Sequence, residues 1–269
     1  MLTVKLIVFD LDGTIVSDTR DAKNIISPLI INAIHLAQAC GIKIAVATGR
    51  DLKAATKPAE MINADYLIAS NGALLYNCKE KKIIWAHYLK ENVIKLILDN
   101  VDMEENWPRV HTPGEVYLAE CDREVAAMYA EIYGDQCYYV EERSQLARDA
   151  IMLGIVGDIE PVITKINNRF GNLVSVCQGG HDCIDVIAPG INKAWAVQKV
   201  AEMIGATPAQ VVAYGDGLND IEMLSWAGTG IAISDAHPRV IKAAKGRTCP
   251  PGSGVGESLV ELLATRVIA

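Results

Sequence analysis

The chain has 269 residues, and 51% of them are hydrophobic, which suits one large domain or a core domain with an insertion. Its formal net charge of −8 argues against general nucleic-acid binding, because that function requires a basic surface. The seven cysteines form no CxxC pair, no apolar run reaches membrane-spanning length, and the N-terminus enters a strand without a signal segment. We therefore expect a cytoplasmic protein with reduced thiols, without a membrane or nucleic-acid partner and without an evident protein partner.

The negative charge is concentrated in the middle of the chain. Residues 1–80 and 190–269 together contain 15 basic and 15 acidic residues, whereas residues 81–189 contain 10 basic and 18 acidic residues. This distribution is typical of a solvated acidic surface, and it weakly disfavours a long polyanionic substrate.

Short apolar strands alternate with helices in the first part of the chain. The patterns predict strands at 3–9, 42–47 and 66–70, and helices at 27–40 and 51–62. Pro58 predicts a break or kink in the second helix. Strands that are apolar throughout and joined by helices predict an α/β fold, with a Rossmann-like, doubly wound parallel sheet covered on both faces.

The pattern changes in residues 82–188, where the strand candidates are shorter and more polar. They lie at 116–121, 137–140, 151–156, 173–177 and 183–188, with helices between them at about 91–101, 122–133 and 159–170. We interpret 82–188 as an inserted α+β cap domain within a discontinuous core of residues 1–81 and 189–269.

The parallel-sheet pattern returns after the insertion. It predicts a helix at 192–205, a strand at 211–215, a short helix and a strand at 229–233. The glycines and prolines of 249–258 predict a loop.

Polar residues follow several of the predicted parallel strands. Asp10 and Asp12 follow the first, Thr48 follows the second, and a late strand leads into a segment with Asp216, Asn219 and Asp220, while Lys193 begins a helix. Singly, these residues have ordinary explanations as a helix cap, a turn or a solvated lysine. Together they are a candidate site, because open α/β sheets bind ligands at the carboxyl ends of their strands. Two carboxylates as close as Asp10 and Asp12 also repel each other unless a cation such as Mg²⁺ offsets them.

The motifs DLDGT, ATGR, PGINK and GDGLND, in this order, resemble those of the haloacid dehalogenase superfamily of phosphotransferases, in particular its Cof-type sugar phosphatases. SNGA at 70–73 and GIAI at 230–233 extend the resemblance over the chain. It departs from the family pattern at Ser234-Asp235-Ala236 and in the 249–258 segment, and we assign these no role.

The resemblance implies a Mg²⁺-dependent phosphatase that acts on a small phosphate ester, most simply a sugar phosphate, through an aspartyl-phosphate. Asp10 would be the nucleophile and Asp12 the general acid and base. The implied residues for the other roles are Asp10, the Asp12 carbonyl and Asp216 for the metal; Thr48, Lys193, Asn219 and backbone N–H groups near Asp12 and Asn71 for the phosphate; and Asn219 and Asp220 for support of Lys193 and the metal.

Other functions are open at this point. A phosphomutase of the same superfamily would use the same aspartate, and a receiver-like module would only be phosphorylated on it. An ATP-driven kinase is disfavoured because the chain has no GxxxxGK[ST] loop. For five basic residues of the cap we expect surface exposure rather than substrate contact: Arg109, His111, Arg123, Arg143 and Lys165. The Thr-Pro-Gly sequence after His111 predicts that this histidine lies in a loop, where ligand contacts are more common.

Overall fold

The computed structural model describes residues 4–16, 25–100, 106–118, 127, 129–131, 133–140, 146, 148–178 and 182–266. In chain order the strands are β1 Leu6–Phe9, β2 Lys43–Ala47, β3 Tyr66–Ala69, β4 Leu74–Asn77, β5 Lys82–Ala86, β6 Asn106–His111, β7 Val116–Leu118, β8 Cys137–Tyr139, β9 Met152–Gly157, β10 Ser175–Gln178, β11 Cys183–Ile187, β12 Val211–Gly215, β13 Thr229–Ile233 and β14 Thr248–Cys249. The helices are α1 Pro28–Ala39, α2 Leu52–Met61, α3 Glu91–Leu98, α4 Ile159–Phe170, α5 Lys193–Met203, α6 Ile221–Trp226, α7 Pro238–Ala243 and α8 Ser253–Arg266.

The core domain is built on an eight-stranded sheet in the order β14-β13-β12-β1-β2-β3-β4-β5. The strands from β14 to β3 are parallel, whereas β4 and β5 pair antiparallel at one edge. Alternate residues of β1 point to opposite faces, as strand geometry requires. Ile7 and Phe9 pack in the cluster that contains residues of α1, α2 and α8, while Leu6 and Val8 pack in the cluster that contains residues of α5, α6 and α7. The expected doubly wound sheet is thereby confirmed.

A second sheet lies in the inserted segment, in the order β10-β11-β9-β6-β7-β8. All of its pairs are antiparallel except β7 with β8. One face carries Val110, Leu153, Ile155, Ile184 and Val186, which pack with apolar residues of α3 and α4. The opposite face of β6, β9 and β11 contributes to the cavity described below.

The core sheet extends further along the chain than the domain boundary we expected. The predicted boundary between residues 81 and 82 falls inside the β4–β5 hairpin, and β5 pairs with β4 as the edge of the eight-stranded sheet. The chain therefore enters the second sheet only after Ala86. The inserted domain itself stays an interpretation from sequence and topology.

Three local expectations differ from the structure. Strand β6 was not predicted, and Pro58 lies inside α2 without ending it. The 249–258 segment is a loop only in part, because α8 begins at Ser253. The predicted helix 122–133 and strand 116–121 lie partly outside the described residues.

Among the described residues, no helix is both long enough and apolar enough to cross a membrane. Six of the seven cysteines lie in this part of the chain, and all six are free thiols. The seventh, Cys121, lies outside the described residues.

Candidate active site

The site begins where three adjacent parallel strands end. Asp10 follows β1, Thr48 follows β2 and Asp216 follows β12, and β1 pairs with both of the other strands. The backbone N–H of Asp10 continues the sheet by donating to the Tyr214 carbonyl at 3.0 Å. Residues far apart in sequence therefore meet at one edge, as the sequence predicted.

A buried lysine joins two of the carboxylates. Lys193 Nζ donates to Asp10 Oδ1 at 2.6 Å and to Asp220 Oδ1 at 2.7 Å, and all three side chains are buried. Burial opposes the charge of this ammonium, but Asp10 and Asp220 outweigh it and raise the Lys193 pKa, so the lysine stays a cation. Asn192 starts α5 by accepting from the N–H of Trp195, which fixes the first turn that carries Lys193.

The carboxylates around this lysine exceed its single positive charge. Burial raises the Asp10 pKa well above its usual value; Lys193 opposes the rise, and Asp220, Asp216 and Asp12 add to it. Burial likewise raises the Asp216 pKa to about 6, although Thr14 Oγ1 donates to Asp216 Oδ1 at 2.5 Å. Burial is the main cause of both rises, and neighbouring carboxylates add to each of them.

A divalent cation fits this set of donors. One oxygen from each of Asp10, Asp216 and Asp220 lies within 4.8 Å of the others, and hard cations such as Mg²⁺ prefer carboxylate oxygens. Both oxygens of Asp220 already have partners, because Oδ1 accepts from Lys193 and Oδ2 from the N–H groups of Asp216 and Gly217 at 3.1 and 2.9 Å. Asp10 and Asp216 are therefore the carboxylates that suit direct binding, while Asp220 supports the lysine and the loop.

Gly13 is required by the packing of this loop against Asp216. Its φ is +80°, and a Cβ atom added there would lie 2.2 Å from Asp216 Oδ2. Any other residue would be strained and would displace this carboxylate.

An arginine missed by our sequence analysis holds Asp12. Arg50 Nε donates to Asp12 Oδ2 at 2.8 Å and Nη2 to Oδ1 at 2.5 Å, which is a bidentate ion pair. Its Nη1 donates to the Ala54 carbonyl at 3.4 Å. Pro58, four residues on, has no N–H to offer this carbonyl, so the proline frees an acceptor for the arginine. The only sequence signal was the position of Arg50 at the end of ATGR.

The predicted phosphate-binding residues adopt different arrangements. Thr48 is buried, and its Oγ1 accepts from the N–H of Arg50 at 3.1 Å. The Asn71 N–H donates to the Thr48 carbonyl at 3.0 Å, so it is not free to bind a phosphate oxygen here. The Asn71 side chain instead donates to Asp185 Oδ2 and accepts from Asn219 Nδ2, each at 2.9 Å. Asn219 thus contacts Asn71, and no described bond links it to Lys193.

The cavity over these residues has a volume of about 700 Å³, and its walls contain residues of the core and residues of the inserted segment. Arg109 and His111 line it, contrary to the surface exposure that we expected, and His111 ends β6 rather than lying in a loop. Lys165 is exposed on α4 and Asp235 is exposed after β13, and neither lines the cavity. Arg123 and Arg143 lie outside the described residues.

Comparison with known proteins decides the family. The family profile of haloacid dehalogenase-like hydrolases matches residues 7–250. The chain belongs to this family. The predicted resemblance is therefore confirmed, and the residues that line the cavity lie within the matched part of the chain.

Relatives of this hydrolase include named phosphatases. It is 28% identical to the 5-amino-6-(5-phospho-D-ribitylamino)uracil phosphatase YcsE of Bacillus subtilis, with 90% of this chain and 88% of the relative covered. It is 26% identical to the HMP-PP phosphatase of Cronobacter sakazakii, with 88% and 86% covered. A crystal structure of a haloacid dehalogenase-like hydrolase from Bacteroides thetaiotaomicron has a TM-score of 0.82 at 23% identity, with 97% of this chain and 100% of that chain covered.

Proposed function

We propose that this hydrolase is a Mg²⁺-dependent phosphatase that cleaves a small phosphorylated metabolite, most simply a sugar phosphate, through an aspartyl-phosphate. The observation that supports this proposal most strongly is the Asp10–Lys193–Asp220 network beside Asp216 in a cavity. The network holds a nucleophilic carboxylate against a permanent cation. The named phosphatases among the relatives support the same reaction class.

Asp10 is the proposed nucleophile. One of its carboxylate oxygens forms a bond with phosphorus while the bond from phosphorus to the leaving oxygen breaks, and Lys193 donates to its Oδ1. When bound by Asp10, Asp216 and the Asp12 carbonyl, Mg²⁺ would offset the charge of the carboxylates and of the phosphate. The positive charge of Lys193 compensates the negative charge that remains on the phosphoryl group.

Asp12 is the proposed general acid and base. It protonates the leaving oxygen during attack by Asp10, and afterwards takes a proton from the water that cleaves the aspartyl-phosphate. The two bonds from Arg50 fix the direction of its carboxyl group. Thr48 lies buried at the neighbouring strand end, where its hydroxyl can donate to a phosphate oxygen.

Phosphate release tests this function. Purified protein with Mg²⁺ is expected to release inorganic phosphate from sugar and alkyl monophosphates without any bisphosphate activator, which a phosphomutase would need. Acid-quenched samples are expected to carry one phosphoryl group on the peptide that contains Asp10. A matched Asp158→Asn variant, which alters an exposed carboxylate of the inserted domain, is expected to keep both properties. Absence of phosphate release from every ester would contradict the proposal.

A further inference from the structure

A buried asparagine of the core is bonded both to the inserted segment and to the loop that carries Asp216. Asn71 Nδ2 donates to Asp185 Oδ2 of β11, and Asn71 Oδ1 accepts from Asn219 Nδ2, each at 2.9 Å. Asn219 lies three residues after Asp216, and both Asn71 and Asp185 are buried. One amide therefore connects the inserted segment to the loop that we propose to bind the metal. We call Asp185, Asn71 and Asn219 the amide relay.

The backbone of the turn that carries Asn71 is held firmly. Ser70, Asn71 and Gly72 have φ values of 49°, 53° and 103°, which are unfavourable for residues other than glycine. The N–H of Asn71 donates to the Thr48 carbonyl at 3.0 Å, and a Cβ atom on Gly72 would lie 2.5 Å from the carbonyl oxygen of Asn192. The turn is thus fixed on two sides, and the direction of the Asn71 amide depends on its two side-chain partners.

The inserted segment decides that direction. Burial raises the Asp185 pKa, and the guanidinium of Arg109, 3.8 Å from Asp185 Oδ1, opposes this rise and favours the ionised form. An ionised carboxylate can only accept hydrogen bonds, so it requires the Nδ2 side of Asn71. Asn71 Oδ1 then faces Asn219 and in turn requires the Nδ2 side of that amide. The charge of Asp185 therefore sets, through Asn71, the direction of the Asn219 side chain.

The other end of the Asn219 amide consequently presents an oxygen to its own loop. A Cβ atom on Gly217 would lie 2.4 Å from Asn219 Oδ1, so this oxygen lies directly against the residue that follows Asp216. Divalent cations such as Mg²⁺ and the waters that they bind are stabilised by nearby oxygen atoms. An amino group in the same place would instead direct positive charge at the cation.

Given the Mg²⁺-dependent phosphatase proposed above, we infer that Asp185 and Asn71 are positioning residues that keep the oxygen of Asn219, rather than its amino group, turned toward the metal-binding loop. The inserted segment thereby contributes to metal binding without a ligand of its own. Hydrogen bonds that run in one direction through a buried chain also strengthen one another. Displacement of β11 from Asn71 would free both amides to rotate, so metal affinity depends on the position of the inserted segment.

Asp185→Asn keeps the size of the side chain and is expected to reverse the relay. Arg109 favours the new amide oxygen on its side, which leaves the amino group for Asn71. Asn71 then turns Oδ1 to position 185 and Nδ2 to Asn219, and Asn219 turns its amino group to Gly217. We expect the affinity for Mn²⁺, which prefers the same oxygen ligands as Mg²⁺, to fall by about tenfold. The EPR signal of free Mn²⁺ measures this affinity in protein that has first been freed of metal.

Two further variants separate the relay from a change of charge and from a loosened inserted segment. Asn71→Gly removes the central amide without changing the charge, and glycine adopts a positive φ readily. We expect it to lower the Mn²⁺ affinity by about threefold or more. Lys53 Nζ donates to the Tyr133 carbonyl at 2.5 Å and to the Gln136 side chain, so Lys53→Met removes contacts of the core with the inserted segment at another place. It should leave the Mn²⁺ affinity within about twofold.

A double variant tests the direction of the hydrogen bonds without any metal. Asn219→Asp alone leaves only acceptors opposite Asn71 Oδ1 and is expected to lower the Tm. Adding Asp185→Asn lets the whole chain run the other way, because the carboxylate at position 219 accepts from Asn71 Nδ2 while the amide at position 185 donates to Asn71 Oδ1. The Tm of the double variant should exceed the value expected from adding the two single shifts by about 3 °C or more.

The outcomes separate the relay from the phosphatase function. Unchanged Mn²⁺ affinity in Asn71→Gly, additive Tm shifts, or an equal loss of affinity in Lys53→Met would each overturn the relay, even in a protein that releases phosphate. A loss in Asp185→Asn without a loss in Asn71→Gly would assign the effect to the missing charge and would also overturn it. If Asp185→Asn does not fold, the Asn71→Gly result decides.

The unaltered protein tests the proposed function itself. Failure to release phosphate from any ester would overturn the phosphatase function, whereas the Mn²⁺ affinities and the Tm values would still decide the relay. Failure to bind Mn²⁺ would overturn the metal dependence of the proposed function, and with it the role of the relay in metal binding.

Discussion

Replacing Arg50 with lysine tests whether the arginine acts through Asp12. Lysine keeps the positive charge but has one ammonium group in place of the planar fork. It therefore cannot reproduce both bonds to Asp12, at 2.8 and 2.5 Å, together with the bond to the Ala54 carbonyl. We expect Asp12 to keep a nearby cation and to lose its fixed direction.

The size of the effect follows from the bonds that are lost. A hydrogen bond to a charged group contributes about 1.5–3 kcal/mol, but this pair is partly exposed, with 18% of the Arg50 side chain and 39% of the Asp12 side chain accessible. Solvent screening reduces the contribution, so we expect a loss of about 1–2 kcal/mol. This corresponds to a fall of about 5- to 30-fold in kcat/KM for a substrate whose leaving oxygen needs a proton.

Two substrates distinguish an effect on proton transfer from an effect on phosphate binding. The leaving group of n-hexyl phosphate requires a proton, whereas p-nitrophenolate leaves as a stable anion. Because kcat/KM reports the steps up to formation of the aspartyl-phosphate, Arg50→Lys should lower it 5- to 30-fold for n-hexyl phosphate and less than about threefold for p-nitrophenyl phosphate. An equal fall for both esters would show that Arg50 binds the phosphate itself. Arg239→Lys, an exposed change on α7, is the control.

Three further predictions concern the nucleophile, the metal and the inserted domain. Asp10→Asn should stay folded by circular dichroism but lose at least ~10³-fold in kcat, about 4 kcal/mol of barrier; near-normal turnover would contradict its role. EDTA should abolish phosphate release, Mg²⁺ should restore it and Ca²⁺ should support it poorly; full activity without metal would refute the metal dependence. Mg²⁺ should also raise the Tm of the unaltered protein more than that of the Asp216→Asn variant. Replacing residues 88–188 with a Gly/Ser linker keeps β5, and in a monodisperse sample it should leave the rate of p-nitrophenyl phosphate hydrolysis within ~10²-fold of that of the intact protein. The preference expected of a sugar phosphatase for sorbitol 6-phosphate over n-hexyl phosphate should be lost, and an unchanged preference would place specificity in the core.

The elements of the core could be predicted because their signals are local. Each parallel strand is a short apolar run, and the polar residue that follows it lies at a sheet edge whatever the rest of the chain does. This is why Asp10, Thr48 and Asp216 were expected to meet, and why they do. Strand β6 gave no such signal, because Pro108 and the polar residues around it resemble a loop. Among the described residues, the pairing of β7 with β6 begins at Arg109, one residue after the proline.

Other errors arose where packing overrides composition. Residues 253–258 are rich in glycine and serine, yet α8 includes them because Val255, Leu259 and Leu263 bury one face of it in the core. Pro58 is tolerated within α2, and the carbonyl that it leaves free is used by Arg50. Helix propensity is a weak signal, so burial of a helix face can outweigh it.

The sequence by itself determined the family motifs, the type of sheet and the order in which the charged residues reach its edge, because each of these depends on neighbours within a few positions. Only the tertiary structure decided which charges pair and which cap residues face the cavity. Arg50 meets Asp12, 38 positions away, and Arg109 meets Asp185 across Gly154, through registers of three strands far apart in the chain. Shifting a register by one residue would turn Arg109 and Asp185 to opposite faces, and no local pattern in the sequence fixes that register.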